Sequence, residues 1–419
     1  MRMTRQRREP PSFLWALPTL FICLVVMCIA LAGCPLPQEP PYPDPGVPAL
    51  YHDAYHYTDY RDGVGDFVYI QLWNFSWLYD NETPLDASDD TYGVAAFGLA
   101  NPEHLMGSQG LTNALGLIIR PGAQSYTVNS PYYDPAVPGN FYASNTFAPG
   151  PGNEMENPAG FIDVIDADTI HTAGEVTEGT VVISWDLTYT RIPTLGGGWL
   201  PWVQWPLPYT LGLFPAWMTY YVHMPNALVT GTFTVNDGVE DTYELNGVKG
   251  YHDGFYGEAV FSDLEWDWLD YKQYSQSGYE DISVHMLHPH GPVYDCQGGW
   301  SPCTPGNLRV YYNGTEYNFT RKDDDIVITY LDFSLDPEFS LQYPTEVNIH
   351  AWDAAGNDLD LTWTLAHYMR VYYDVPDPFA DNVTYEILAD FDGTFTPGGG
   401  DPVMIRGNGF SDWGSPPFQ

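Results

Sequence analysis

A period-two alternation of apolar and polar residues recurs along this chain, while helical periodicity is almost missing. In residues 181–190 the apolar side of the alternation consists of Val181, Ile183, Trp185, Leu187 and Tyr189. In residues 229–235 it consists of Val229, Gly231, Phe233 and Val235, with threonines between them. Because successive side chains of a strand point to opposite faces, both segments are predicted to be half-buried antiparallel strands.

Turn signals between the apolar runs agree with a strand-rich fold. Asn313-Gly314 separates two such runs and has the composition of a type I′ hairpin turn. Residues 236–238 and 355–357 are similar. With 37 prolines and 40 glycines interrupting short aromatic and β-branched runs, the sequence predicts an all-β protein in sandwich or barrel form.

The N-terminus has the order of a lipoprotein signal peptide. Four arginines within the first eight residues precede an apolar stretch from Leu14 to Ala32, which closes on Leu31-Ala32-Gly33-Cys34. The alternative is a membrane-spanning anchor, but small residues directly before a cysteine favour cleavage and lipidation. The sequence therefore predicts an exported protein, anchored to the outer membrane or cell surface by a lipid on Cys34.

The charge of the exported part limits its partners. Removal of residues 1–33 takes four arginines and Glu9 from the 14 basic and 54 acidic residues, which leaves a formal charge of −43. So negative a field argues against nucleic acid and anionic lipid head groups as partners. The excess of acid fits a saline habitat or simply a solubilising surface, and the high aromatic content favours the second.

Two cysteines, Cys296 and Cys303, remain in the exported domain once the signal peptide is removed and Cys34 carries a lipid. In an oxidising compartment this pair is predicted to form a disulfide that closes a short loop. The alternative is a metal site, but no histidine stands at zinc-ligand spacing around the pair.

A family resemblance rests on three consecutive motifs and two weaker flanking ones. The central motifs are residues 219–235, a Gly-Tyr-His-Asp-Gly-Phe-Tyr-Gly run at residues 250–257, and Trp266-Asp-Trp268. The flanking ones are residues 73–97 and 405–413. In this order and spacing they resemble the superfamily of AttH-like proteins, hydroxyneurosporene synthase and kievitone hydratase, to which fungal Diels-Alderases of similar architecture also belong.

The resemblance implies two lipocalin-like antiparallel β-barrels in tandem, a hydrophobic pocket and no organic cofactor. The expected organisation is a signal peptide at 1–33, a proline-rich linker at 34–49, and barrel domains at 50–246 and 247–419. One position departs from the family, because Gly254 stands where the family loop has its second histidine, and the next two positions are Phe255 and Tyr256. That difference weakens the expectation of hydratase activity and leaves the expected fold intact.

Candidate acids and aromatic walls surround the central motif. Flanked by Gly250 and Gly254, His252 and Asp253 are expected in a sharp turn that aims both side chains into a cavity. Protonation of an alkene needs an acid and an aromatic wall that tolerates a cation. The candidate acids are Tyr251, His252, Asp253 and Glu258, and the candidate ligand contacts are Trp73, Asn74, Tyr256, Trp266 and Trp268. The alternative is structural, with Asp and His locking a loop and the tryptophans in a core.

Other motifs give no stronger hypothesis. His285, His288 and His290 lack an evident third metal ligand, which favours a rim of exposed histidines. The acidic runs lack calcium-loop spacing, and no nucleophile elbow, phosphate loop or dinucleotide fingerprint occurs. The sequence thus predicts a lipoprotein that binds a hydrophobic small molecule, either as a cofactor-free hydratase, isomerase or cyclase or as a non-catalytic envelope protein.

Overall fold

The computed structural model describes most of the chain beyond residue 68. The described residues are 69–80, 83, 85–101, 111–135, 137–144, 154–192, 195, 200–208, 215–258, 265–274, 280–290, 307–320, 326–373 and 382–415, with the backbone alone at some strand ends. All lie in the second of two compact units, Pro45–Gln419. The predicted signal peptide, Cys34, and the pair Cys296 and Cys303 lie outside the described residues, so the signal peptide, the lipidation and the disulfide stay predictions.

The first sheet has twelve antiparallel strands. They are β1 Tyr69–Tyr79, β2 Thr91–Asn101, β3 Leu111–Ile119, β4 Tyr126–Asn129, β5 Tyr142–Ala143, β6 Met155–Asn157, β7 Gly160–Asp166, β8 Thr169–Glu178, β9 Val181–Arg191, β10 Leu200–Pro208, β11 Pro215–Asn236 and β12 Glu240–Glu258. Their order is β4-β3-β2-β1-β12-β11-β9-β8-β7-β6-β5, and β10 also pairs with β11. A short 3-10 helix, Ala87–Asp89, follows β1.

The second sheet has nine antiparallel strands. They are β13 Glu265–Gln273, β14 Ile282–His290, β15 Asn307–Tyr312, β16 Thr315–Thr320, β17 Ile326–Asp336, β18 Leu341–Trp352, β19 Asp358–Tyr373, β20 Asn382–Thr396 and β21 Val403–Ser415. Their order is β16-β15-β14-β13-β21-β20-β19-β18-β17. The described residues include no helix long and apolar enough to cross a membrane.

Each sheet curls around its own apolar core, as the alternation predicts. In β9, Ile183, Trp185, Leu187 and Tyr189 are all buried while the residues between them are half-buried or exposed. The predicted hairpin is also confirmed, since Tyr312 pairs with Thr315 across a turn in which Asn313 and Gly314 have φ of 51° and 74°. The all-β prediction is confirmed, since the two antiparallel sheets curl into half-barrels, called here the first barrel (β1–β12) and the second barrel (β13–β21).

The course of β12 differs from the sequence-based expectation in two ways. The strand runs without interruption through residues 250–254, paired to β1 on one side and β11 on the other, so the predicted sharp turn is wrong. The strand also stays in the first sheet up to Glu258, and the second sheet begins at Glu265. The division between the sheets therefore falls between these two residues and not at residue 247.

A third apolar cluster joins the outer faces of the two barrels. It contains residues from both sheets: Leu78, Ala87, Tyr92, Leu117, Ile119, Tyr220, Val222, Tyr251, Trp268, Leu287, Tyr311, Val371, Leu388 and Phe410. At its centre the ring of Tyr92 from the first barrel stacks on Phe410 of the second, with centroids 3.7 Å apart. This surface, called here the inter-barrel face, buries polar groups as well as apolar ones.

Candidate functional site between the two barrels

Alternation along β12 separates the two residues that the sequence placed together. His252 and Tyr256 point into the first barrel, where they pack with its core. Tyr251 and Asp253 point the other way, onto the inter-barrel face. Because neighbouring residues of a strand face opposite sides, His252 and Asp253 do not share a cavity, and that expectation is wrong.

His252 is held by structural contacts inside the first barrel. Its Nδ1–H donates to the backbone carbonyl of Asn74 at 2.7 Å, and its ring stacks on Phe75 with centroids 4.0 Å apart. The ring of His223 lies 5.5 Å away. A buried histidine with a backbone partner and a stacked aromatic ring matches the structural alternative for this residue.

Asp253 lies on the inter-barrel face with its carboxyl group buried. Asn74 Nδ2 donates to one carboxyl oxygen at 3.1 Å, and the hydroxyl of Tyr220 donates to the other. Burial raises the pKa of Asp253 to about 6, although the hydrogen bonds from Tyr220 and Asn74 act to lower it. The carboxyl group thus exchanges its proton near neutral pH, in the range that a general acid needs.

Aromatic side chains enclose this acid and continue its hydrogen-bond network. Trp268 Nε1 donates to the hydroxyl oxygen of Tyr220 at 2.8 Å, and the hydroxyl of Tyr251 lies 2.7 Å from the same oxygen. The rings of Tyr251 and Trp268 meet edge to face at 5.0 Å. Burial raises the pKa of both tyrosines well above the usual range, so they stay neutral donors.

The predicted ligand contacts divide between two places. Asn74, Trp266 and Trp268 lie on the inter-barrel face with Asp253, whereas Trp73 and Tyr256 belong to the core of the first barrel. The side chain of Glu258 lies outside the described residues. Trp266 and Trp268 therefore share one face of their strand, as their spacing predicts, and that face is the one on which Asp253 lies.

Close packing explains the glycine at position 254. A Cβ there would lie 2.2 Å from the hydroxyl oxygen of Tyr221 and 2.4 Å from the backbone oxygen of Leu72. Both distances are shorter than any ordinary contact, and a carbonyl within a sheet cannot easily move. No histidine side chain fits where the family motif has one.

The inter-barrel face also holds ionisable groups that sequence reasoning missed. Burial raises the pKa of Glu386 to about 8, and the pKa of Asp412 is raised by burial and by the neighbouring Glu386. The indole of Trp266 donates to Asp412 at 2.8 Å. Alternation through the closing motif at 405–413 places Asp412 on the same face as Phe410, a signal that was available in the sequence.

A second buried group surrounds Asp270 and was likewise not predicted. Asp270 accepts a hydrogen bond from Nζ of Lys272, and its Oδ1 lies 2.8 Å from Nδ1 of His285. Lys272 Nζ also lies 5.0 Å from the ring centre of Tyr251. At every second position, β13 presents one of four side chains to the inter-barrel face: Trp266, Trp268, Asp270 and Lys272. Sequence reasoning missed the last two because charged residues on an otherwise apolar strand usually indicate solvent exposure.

The histidine cluster is buried and divided. His285 lies on the inter-barrel face, where its ring contacts Tyr251 and Tyr311, while His288 points into the second barrel, where its Nδ1 lies 3.1 Å from Asp267. The predicted rim of exposed histidines is therefore wrong for these two. The side chain of His290 lies outside the described part, and within that part no three potential ligands are grouped to hold a metal ion.

One cavity opens on the inter-barrel face, and its lining includes neither Asp253 nor the aromatic residues that hold it. Its volume is about 10 Å³, and its polar lining includes Ser76, Lys249, Asp270 and Lys272. That volume accommodates about one water molecule. An organic ligand needs more room than this cavity gives.

The fold and the site together define an all-β protein of two half-barrel sheets with an acid network buried between them. Most of the chain is similar in fold to several solved structures. An AttH-type protein from Nitrosomonas europaea shares 13% identity at a TM-score of 0.49, with 83% of this chain and 92% of that chain covered. Kievitone hydratase from Nectria haematococca shares 11% at 0.47, covering 82% and 88%, and CghA shares 13% at 0.49, covering 91% and 95%.

These proteins come from the group that the sequence motifs resemble. No family model matches the sequence, and no curated protein matches it. A likeness at this level concerns the course of the chain alone and leaves the ligand and the reaction undetermined.

Proposed function

We propose that this protein binds an apolar small molecule between its two barrels and transfers a proton to it from Asp253. The observation that carries the proposal is a buried carboxyl group whose pKa is raised to about 6, held by Tyr220 and Asn74 among aromatic rings. Fixed, desolvated acids of this kind occur more often at functional sites than elsewhere.

The chemistry proposed is acid-catalysed addition of water to an alkene, or isomerisation of that alkene. The carboxylic acid of Asp253 gives its proton to one alkene carbon, the π electrons form the new C–H bond, and the indole of Trp268 faces the cation. Water then adds to the cationic carbon and returns its proton to the carboxylate, or loss of a neighbouring proton to the carboxylate gives the isomer. Tyr220 and Tyr251 hold the carboxylate in place between the two steps.

A second candidate function is non-catalytic, as a binding or structural envelope protein. It is favoured by two observations: both oxygens of Asp253 already accept hydrogen bonds from the protein, and the cavity described on the inter-barrel face has room for about one water molecule. A satisfied buried network of this kind also fixes how two domains pack.

Deuterium incorporation separates the two functions. The purified exported domain is incubated in D₂O with farnesol and retinol, and binding is followed in parallel by tryptophan fluorescence. The enzymatic proposal expects deuterium on carbon with the wild type and at least tenfold less with Asp253→Asn, while Asp401→Asn, an exposed change, has no effect. Binding without deuterium favours the non-catalytic function, and no binding refutes both versions.

The anchoring of the protein is part of the proposal. Cleavage before Cys34 and lipidation of its thiol would hold the barrels on a membrane surface through the proline-rich segment. Radiolabelled fatty acid is expected to label the wild-type chain and not Cys34→Ala. Equal labelling of both chains would show that the cysteine carries no lipid.

A further inference from the structure

On the face of the second barrel, three strands bring a small set of polar side chains into register next to the proposed acid. Thr384 of β20 stands opposite Gly414 of β21, which stands opposite Trp266 of β13. In the next row Glu386 stands opposite Asp412. We infer that this group, called here the polar subsite, binds the oxygen-bearing end of an otherwise apolar ligand, an inference that rests on the proposed function.

One side chain of the polar subsite is buried without a hydrogen-bond partner among the described residues. Thr384 is 1% exposed and its hydroxyl has no partner there. Glu386, two residues along β20 and on the same face, is buried as well, at 7% exposure. Buried polar side chains are nearly always hydrogen-bonded, so an unpaired hydroxyl next to a buried carboxyl group indicates a place where a polar ligand group binds.

The charge state of the pair selects the kind of group that binds. Glu386 and Asp412 face each other directly across two strands, and two like charges so placed repel, so the pair holds a proton at neutral pH. Burial and the neighbouring Glu386 raise the pKa of Asp412, although the indole of Trp266 acts to lower it, and burial raises the pKa of Glu386 to about 8, so Glu386 holds a proton at neutral pH. A neutral carboxylic acid donates a hydrogen bond, and its natural acceptor is a carbonyl or hydroxyl oxygen.

The surrounding residues determine how such a ligand would lie. The indole of Trp266 covers Gly414 so closely that a Cβ at that position would be 2.5 Å from the ring. Trp266 is half-buried while Trp268, one row further in, is buried beside the acid network of Asp253. A ligand with its oxygen at Glu386 and Thr384 would therefore extend its apolar part along these two indoles toward Asp253.

The test compares two probes that differ in one oxygen, farnesol and farnesene, by titration calorimetry on the exported protein. One hydrogen bond predicts about fivefold tighter binding of farnesol by the wild type. Glu386→Met and Thr384→Val, which keep the side-chain size, are each expected to bring that ratio toward one and to leave farnesene binding unchanged. Thr177→Val and Glu178→Met, the same changes at exposed positions of β8, are expected to leave the ratio unaltered.

The outcomes distinguish this inference from the function on which it rests. Equal binding of both probes by the wild type overturns the polar subsite and leaves the proposed function standing. Tighter binding of farnesylamine than of farnesol also overturns the inference, because a cation would require the ionised pair. No binding of either probe refutes the proposed function, and the inference falls with it. If Glu386→Met fails to fold, the ratio of farnesol to farnesene affinity in Thr384→Val alone tests the inference.

Discussion

At the scale of single residues, Gly254 shows how packing decides what the family motif can contain. Replacing it by alanine places a Cβ against the hydroxyl of Tyr221 and the carbonyl of Leu72. Overpacking of this kind costs about 1 to 3 kcal/mol, and the upper part of that range is expected because one contact is with backbone. Urea denaturation of Gly254→Ala measures it.

A rescue variant tests the cause of that loss. Tyr221→Phe removes the nearest contact, that with the hydroxyl oxygen, and leaves the ring carbon Cζ of residue 221 at 2.5 Å and the backbone oxygen of Leu72 at 2.4 Å, so it should restore only a small part of the stability of Gly254→Ala. A double-mutant cycle isolates the interaction from any effect of Tyr221→Phe alone. Stability of Gly254→Ala within about 0.5 kcal/mol of the wild type would contradict the packing argument.

Asp253 gives a prediction for the dependence of stability on pH. Its pKa is raised from the ordinary 3.8 to about 6, so the folded state holds the proton more tightly than the unfolded chain does. Its contribution is therefore fully present below about pH 4 and is lost as the pH rises through about 6, roughly 3 kcal/mol in all.

Asp253→Asn removes this titration and keeps a hydrogen-bonding side chain of the same shape. Relative to the wild type, the free energy of unfolding of the variant should rise between pH 4 and pH 6 and then stay constant. Asp401→Asn, at an exposed position, serves as the control. A constant difference between Asp253→Asn and the wild type from pH 4 to pH 7 would show that the carboxyl group is not perturbed.

Sequence analysis identified some residues of the inter-barrel face and missed others. Asp253 and the indoles of Trp266 and Trp268 were identified because a motif and their spacing place them together. Glu386 and Asp412 were not, because alternation places Asp412 on the same strand face as Phe410 but nothing local shows that this face is buried against the other barrel. Burial by a distant partner is a property of the assembled sheet.

At the scale of elements, the hairpin between β15 and β16 is specified by two residues. Asn313 and Gly314 both have positive φ, which an asparagine tolerates and a β-branched residue does not. Gly314→Val is expected to cost about 1 to 2 kcal/mol, whereas Asn313→Gly should be nearly neutral. Thermal unfolding of both variants, with the exposed change Thr315→Val as control, measures the difference. Equal stability of Gly314→Val and the wild type would exclude a type I′ turn.

The strands and their turns could be predicted because their signals are local, and β12 shows where local signals fail. Glycines at 250 and 254 suggested a turn, yet pairing on both sides holds them in an extended strand. There the glycines admit Val229 and Tyr221 at close range. The same residue type thus marks a turn at 314 and close packing at 254, and only the pairing of strands distinguishes the two.

At the scale of the whole molecule, the order of the motifs predicts two barrels, but the sequence does not predict which residues form the surface between them. The inter-barrel face is built from strands far apart in sequence, and its residues read as ordinary strand residues. Its polar content suggests that it positions the barrels as well as any ligand. The structure therefore allows a test of whether the two barrels unfold together.

Phe410 tests that coupling because it belongs to the second barrel and packs on the first. Its ring stacks on Tyr92 at 3.7 Å and meets Trp268 at 5.6 Å. Phe391, equally buried, packs within the second barrel against Tyr271. Truncation of a buried phenylalanine costs about 3 to 5 kcal/mol at either position. The two variants therefore remove similar stabilisation from different contacts.

Hydrogen exchange in urea, followed separately in β9 of the first barrel and β18 of the second, distinguishes their effects. The wild type should lose protection in both strands at one urea concentration, because the buried face makes the barrels unfold together. Phe391→Ala should lower that concentration for both strands equally. Phe410→Ala should instead separate them, since it removes the contact that couples the barrels and leaves each core intact. Coincident loss of protection in Phe410→Ala would mean that coupling is spread over the whole inter-barrel face and does not depend on the stack of Phe410 on Tyr92.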